Sequence, residues 1–171
     1  MKVIVSDSCC LIDLELASLL NALLALPCEV WMPELSFKSE LLSLSEQRKT
    51  ELLGLGLQVK AFSSVEMQNI QALQQAIPAL SHQDCAAFVL AADTPESVLL
   101  TSDKRLRNHA MQSQVAVHGL LWLVELFWQK QLVPVALLLQ ALEDWQSDPS
   151  VRLPQAELKQ LKMRLKQDLL N

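Results

Sequence analysis

Five short apolar runs, Lys2–Ser6, Glu29–Met32, Leu57–Phe62, Val98–Thr101 and Val115–Val117, alternate with stretches of helical periodicity along the chain. That alternation constrains the fold more than any other feature. Consecutive parallel strands need crossovers of a dozen or more residues, and a sheet built from them is buried on both faces. The chain therefore predicts an α/β fold with a central parallel sheet. One helix is expected over Leu16, Leu19, Leu20, Leu23 and Leu24, ended by Pro27, and a second opened by Pro33 and carrying both Glu34 and Glu40. Ser63-Ser64-Val65-Glu66 and Ser81-His82-Gln83-Asp84 have capping-box character and each introduces a helix, the latter rich in Ala. Another helix is centred on Leu106 and Ala110, and Gly119 to Leu142 reads as two amphipathic helices. Leucine, 37 of the 171 residues, adds helix propensity throughout.

Glycine is scarce, and this excludes two large enzyme classes. Gly54, Gly56 and Gly119 form neither a phosphate-cradling GxxxxGK[ST] loop nor a dinucleotide-binding GxGxxG turn. The net charge of −5 argues against a protein that coats nucleic acid through bulk positive charge. Charge is uneven, however, because five basic and two acidic residues lie from Arg152 onward, leaving the rest strongly acidic. Cys9, Cys10, Cys28 and Cys85 lack zinc-site spacing and read as buried small hydrophobes in a reducing cytoplasm. No stretch is apolar and long enough to suggest a membrane span, and Asp7, Asp13 and Glu15 interrupt any signal-peptide pattern.

The chemically informative residues are acids at strand ends and helix starts. In an open parallel sheet, ligands bind beyond the carboxyl ends of the strands, where strand order reverses. Asp7 and Asp103 stand in such positions, and they converge if the first and fourth strands are neighbours. Two close carboxylates repel, so a proton or a divalent cation is needed to hold them together. An all-oxygen set favours Mg²⁺ or Mn²⁺, ions suited to phosphodiester hydrolysis. Each acid also stands where a helix begins, so capping is an alternative role for Asp7, Asp103 and Asp84.

Several motifs in order resemble the PIN-domain ribonucleases: Asp7-Ser8 after a buried strand, Pro33 followed by Glu40-Leu41, Asp84 opening an Ala-rich helix, and Thr101-Ser102-Asp103 followed by Leu106. The opening Val-Ser-Asp-Ser-x-x-Leu-Ile-x-Leu and His118-Gly119-Leu120-Leu121 are similar to the PIN-like VapC-type toxins of prokaryotes. The resemblance covers residues 1 to 145 or so. It implies a three-layer α/β/α sandwich over residues 1–146, followed by a linker and a C-terminal amphipathic helix over 147–171. It also implies a metal-dependent endoribonuclease, commonly dimeric and paired with a small antitoxin. On that resemblance Asp7, Glu40, Asp84 and Asp103 match the acidic quartet that binds Mg²⁺ or Mn²⁺, and Ser8 and Thr101 match supporting polar positions. Glu34, just inside the helix opened by Pro33, competes with Glu40, since six residues at 100° each place the two on different faces.

Lys104, Arg105 and Arg107 follow Asp103, where some relatives carry a further acid, and read as contacts to RNA phosphates or as solvated helix charges. His82 and His109 read as surface residues. Trp122, Phe127, Trp128 and Trp145 fall in apolar helical patterns, so they belong to the core or to a dimer interface. Leu158, Leu161, Leu165 and Leu169 form one stripe of the tail helix, with Lys159, Lys162 and Lys166 on its other faces. That helix either docks on the body or meets RNA or a partner. Two other strand-end-aspartate enzymes are disfavoured: Cys9 replaces the second Asp of a haloacid-dehalogenase-type phosphatase, and Met1-Lys2-Val3 leaves no room for the paired acids of a receiver domain. The non-enzymatic alternative is a PIN-like interaction module that has lost activity.

Overall fold

The computed structural model describes residues 1–170; Asn171, the end of the predicted tail, lies outside the described residues. The chain forms strands β1 (Val3–Ser6), β2 (Glu29–Pro33), β3 (Leu57–Lys60), β4 (Ser97–Leu100) and β5 (Val117–His118). All pair in parallel, in the order β3-β2-β1-β4-β5. β1 is central, with Ile4 opposite Val30 on one side and Val98 on the other. Strand order reverses on either side of it, which is where a parallel sheet opens a crevice.

Helices cover both faces, as the alternation requires. Ile4 and Leu100 point into a core built with α1 (Ser8–Leu16), α2 (Leu20–Leu24), α8 (Leu120–Gln129), α9 (Val135–Ser147) and α10 (Gln155–Leu169). Val3, Val5 and Leu99 point the other way, against α5 (Ser64–Ala76), α6 (His82–Asp93) and α7 (Lys104–Gln112). The period-two alternation of a strand thus divides one short run between two cores. The result is a three-layer α/β/α sandwich. Small side chains let α6 lie close to the sheet, with Ala86, Ala87 and Ala91 all buried.

Where the structure departs from the sequence reading, local causes are visible. The single helix expected around Leu16–Leu24 is two, because Ser18 adopts a left-handed conformation (φ 58°) between them. The first begins at Ser8, since Asp7 caps it. The helix opened by Pro33 is α3 (Glu34–Ser39) and stops before Glu40, which occupies its C-cap and leads into a 3₁₀ turn over Leu41–Ser43. Helix α4 (Glu46–Gly54) has no counterpart in the sequence pattern: of its nine residues only Lys49 and Leu52 are buried, too few to print a periodicity. Gly56, at φ 109°, then turns the chain into β3. β3 ends two residues before Phe62, and β5 lies later than Val115–Val117 because the Val115 amide bonds Ala110 O at the end of α7.

Among the four cysteines, Cys10 and Cys85 are buried as expected, but Cys28 is half-buried and Cys9 is exposed. Phe127 and Trp145 belong to the core, while Trp122 and Trp128 are half-buried against it. His82 and His109 are also half-buried. His109 meets the Phe88 ring at a tilt (centroids 4.4 Å apart, planes 54° apart), and His82 Nδ1 meets Gln74 Oε1 at 2.9 Å.

The tail packs on the body through Leu158, Leu161 and Leu165, all buried in the same core as Phe127 and Leu142. Arg164 pairs with Glu125 of α8 at 2.6 Å and Lys162 with Glu143 of α9 at 3.5 Å, so part of the tail's positive charge is spent on docking. Leu165→Ala is expected to cost about 2–5 kcal/mol, lowering the melting temperature by about 10 °C in a single transition. A separate early transition of the tail, with the body unaffected, would contradict this packing. No helix among the described residues is long and apolar enough to cross a membrane.

Candidate functional site

The crevice is built outward from Asp7. β1 carries this residue one step past its last paired position, where the Asp7 amide still bonds Leu100 O of β4 at 3.1 Å. Its carboxylate turns back to start α1, with Oδ1 accepting from the Cys10 amide at 2.8 Å. Asp7 is 7% exposed, and burial pushes its pKa up to about 6. Hydrogen bonds from the Thr101 side chain and from Cys10 pull the other way, and the charge of Asp84 adds to the rise. No cationic side chain among the described residues compensates it. Ser8, the next residue and also buried, donates its hydroxyl to Glu40 Oε2 at 2.6 Å.

The neighbouring strand supplies Thr101, fully buried just past β4. Thr101 Oγ1 accepts from the Asp103 amide at 3.0 Å, and Asp103 Oδ1 accepts from the amides of Arg105 and Leu106, both at 2.8 Å. Asp84 lies in the first turn of α6 in a reciprocal capping box with Ser81, at 3.0 and 2.9 Å. The capping roles open in the sequence are therefore occupied: Asp7 and Asp103 start helices, and Asp84 closes a cap.

These roles leave coordinating capacity. Oδ2 of Asp103, Oδ1 of Asp84 and Oε1 of Glu40 carry no hydrogen bond among the described residues, because each carboxylate uses only its other oxygen locally. Asp7 connects the four acids. Ser8 joins its backbone to Glu40, Thr101 links it to Asp103, and Asp84 lies within electrostatic range. They are not drawn into a finished cage, since no three Asp, Glu, His or Cys side chains among the described residues form a ready-made metal group. The donor chemistry nevertheless fits a hard divalent cation: the oxygens are anionic, and the buried Asp7 lacks a countercharge. Glu34 is turned elsewhere, paired with Lys38 at 2.7 Å on the helix surface.

The three bases after Asp103 diverge. Lys104 is exposed at the start of α7, and Arg105 reaches Ala79 O at 3.2 Å, toward the turn before α6. Arg107 folds back so that Nη2 donates to Thr101 O at 3.2 Å. Gly119 makes room for it, because a Cβ there would lie 2.3 Å from Nη2.

Two neighbouring residues escaped the sequence reading. Asp13 faces the same hollow as Asp103, and its pKa is raised to about 6 by burial and by Asp7 and Asp148. Arg152, in the segment before α10, lines that hollow from the far end of the sequence. Asp13 shares a helix face with Cys9 at i,i+4, a signal readable only once α1 is known to start at Ser8. The exposed Cys9 thiol is pushed up to about 11 by partial burial and the carboxylates of Asp7, Glu40 and Asp13.

A central five-stranded parallel sheet with helices on both faces is the PIN-like α/β/α architecture. The PIN-domain family profile matches residues 3–167, almost the whole chain and most of the tail helix, and the chain belongs to that family. PIN domains are generally nucleases that use divalent metals. No curated protein and no solved structure matches the chain.

Proposed function

We propose that this chain is an endoribonuclease dependent on Mg²⁺ or Mn²⁺, acting as the toxin of a type II toxin–antitoxin pair. The observation that carries the reading is Asp7: a buried carboxylate, without a cationic partner, at the end of the central strand and tied to Glu40 through Ser8. Asp7, Glu40, Asp84 and Asp103 would hold the ion through the oxygens their local bonds leave open. When bound, the ion supplies activation of water and stabilisation of the charge that develops on the phosphodiester. The protein's part is positional. Ser8 fixes the rotamer of Glu40, and buried Thr101 fixes the backbone of Asp103 while its side chain bonds Asp7. Asp84 or Asp103 would take the proton of the attacking water, and Arg107 would meet an RNA phosphate beside them. Lys104 and Arg105 would act more weakly, through long-range attraction of the strand.

The partner readings have separate support. Leu16, Leu132 and Leu137 are exposed around the α1–α2 turn and the start of α9, an apolar surface suited to a homodimer. The acidic crevice would accept a basic segment of a small cytoplasmic antitoxin.

Cleavage of RNA by the purified protein should appear with Mn²⁺ and vanish with a chelator. Glu40→Gln should lower it by about 100-fold or more, the scale of a lost charge at a metal-assisted centre, whereas Glu34→Gln should leave it unchanged. Equal activity of wild type and Glu40→Gln would remove Glu40 from the site. Growth arrest on expression, relieved by the product of a small adjacent reading frame, tests the toxin role.

Two observations favour the second reading, an inactive interaction module: Asp7, Asp84 and Asp103 all serve in helix caps, and no three acids among the described residues form a metal group. Added Mn²⁺ separates the two, because a working site is stabilised by about 2.7 kcal/mol at 100 times Kd and a module is not.

A further inference from the structure

The sequence places a positive tail on an acidic body, and the structure separates the roles of the tail's bases. Lys162 and Arg164 are paired with Glu143 and Glu125. Arg152 is different: it is exposed and forms no hydrogen bond or ion pair with any described residue. It also sits between two openings. One is a hollow of about 340 Å³ walled by Cys9, Ile12, Asp13 and Asp103. The other is a narrower recess of about 90 Å³ that Arg152 shares with Arg107, His118 and Trp122. Ser102 borders both, so they form one path leading away from the acids.

The recess has the character of an anion site. Among the described residues Arg107 has no carboxylate partner, and its guanidinium is held in place by the Thr101 carbonyl. Glu157 is the one acid on the recess wall among the described residues, and it pairs with neither arginine. His118, stacked flat on Trp122 with centroids 4.3 Å apart, has its pKa lowered by burial and by Arg107, and contributes a neutral ring edge. Guanidinium groups match phosphate oxygens in geometry and in charge. The recess is the smaller of the two openings and the one that holds both guanidinium groups, while Ile12 and Cys9 give the larger hollow an apolar wall.

We propose that Arg152 and Arg107 together hold a backbone phosphate of single-stranded RNA next to the acidic crevice, so that the segment 148–154 forms one wall of the substrate groove. This rests on the nuclease reading above and adds the path of the strand and the residue that holds it. The tail thereby has two jobs: its leucines and Lys162 and Arg164 dock it, and Arg152 faces the substrate.

The test uses the full chain and a short labelled single-stranded RNA, with binding measured in chelator at several salt concentrations and cleavage measured with Mn²⁺. Arg152→Gln should weaken binding about tenfold and lower the salt slope by about one, with an unchanged melting temperature. KM should rise in proportion while kcat stays constant. Gly119→Ala, whose Cβ would displace the Arg107 guanidinium, should weaken binding comparably. Lys166→Gln, on the exposed face of α10, should bind as wild type does. Arg152→Gln with wild-type affinity and salt slope would overturn the phosphate site, even if the protein cuts RNA. Wild-type protein that binds RNA but never cuts it would overturn the nuclease reading and leave the phosphate site standing. Absence of RNA binding at low salt would overturn both, and equal affinity for a duplex would overturn the single-strand path.

Discussion

Asp7→Asn is expected to abolish RNA cleavage and, at the same time, to make the metal-free protein more stable at pH 7. Both effects have one source. The carboxylate is buried without a cation, so ionising it in the folded state is costly, and its pKa rises to about 6 from an unfolded value of 3.8. The folded state therefore holds more protons than the unfolded chain between these two values. Stability contributed by Asp7 falls as pH rises through that window and stays lowest above it. Asn keeps the acceptor for the Cys10 amide and removes the charge. The expected gain is about 1–3 kcal/mol at pH 7, or several degrees in Tm, and it should shrink toward zero below pH 4. Removing the charge also relieves Asp13, whose pKa is raised in part by Asp7. Excess Mn²⁺ should reverse the order by stabilising wild type alone. Thermal melts of both proteins across pH, with and without metal, test this directly. Lower stability of Asp7→Asn at pH 7 would mean that the carboxylate already has a compensating partner.

The second large effect separates the two roles of Asp103. Asp103→Asn retains a good N-cap for α7, since Oδ1 can still accept from the Arg105 and Leu106 amides, but loses the charge. Cleavage should fall by about 100-fold or more, with stability within about 0.5 kcal/mol of wild type. Asp103→Ala removes the cap as well, adding a loss of about 1–2 kcal/mol. Equal activity in wild type and Asp103→Asn would reduce Asp103 to a capping residue. Equal stability in the Asn and Ala variants would show that the cap contributes nothing.

Much of the fold could be read from local sequence. β-branched runs such as Val3-Ile4-Val5 mark buried strands because both faces of a parallel sheet are covered, and they place Asp7 and Asp103 correctly at strand ends. The capping boxes at Ser63 and Ser81 were legible for the same reason, since their bonds span only three residues. What failed depended on contacts between distant residues or on backbone states without a sequence signal. Ser18 takes a left-handed conformation with no glycine to announce it, and α4 is too polar to show a buried face. The sequence pattern places Glu40 in the helix of Glu34, and only the C-cap geometry turns it toward Ser8. Arg152 and Asp13, 139 positions apart, share a hollow that no local pattern could predict.

The central place of β1 has a consequence for when the crevice exists. β1 is made first, yet its neighbour β4 comes more than ninety residues later, with Val3 opposite Ser97. At about 5–20 residues per second, roughly 5–20 s of synthesis separate the two strands. During that interval β1 can pair with β2 and β3 but lacks the neighbour that delivers Thr101 and Asp103. Arg152 and the leucines of α10 emerge later still. A nascent chain therefore exposes an unpaired, apolar strand edge before it has a site, and the segment around Arg152, translated well after β4, completes the groove begun at β1.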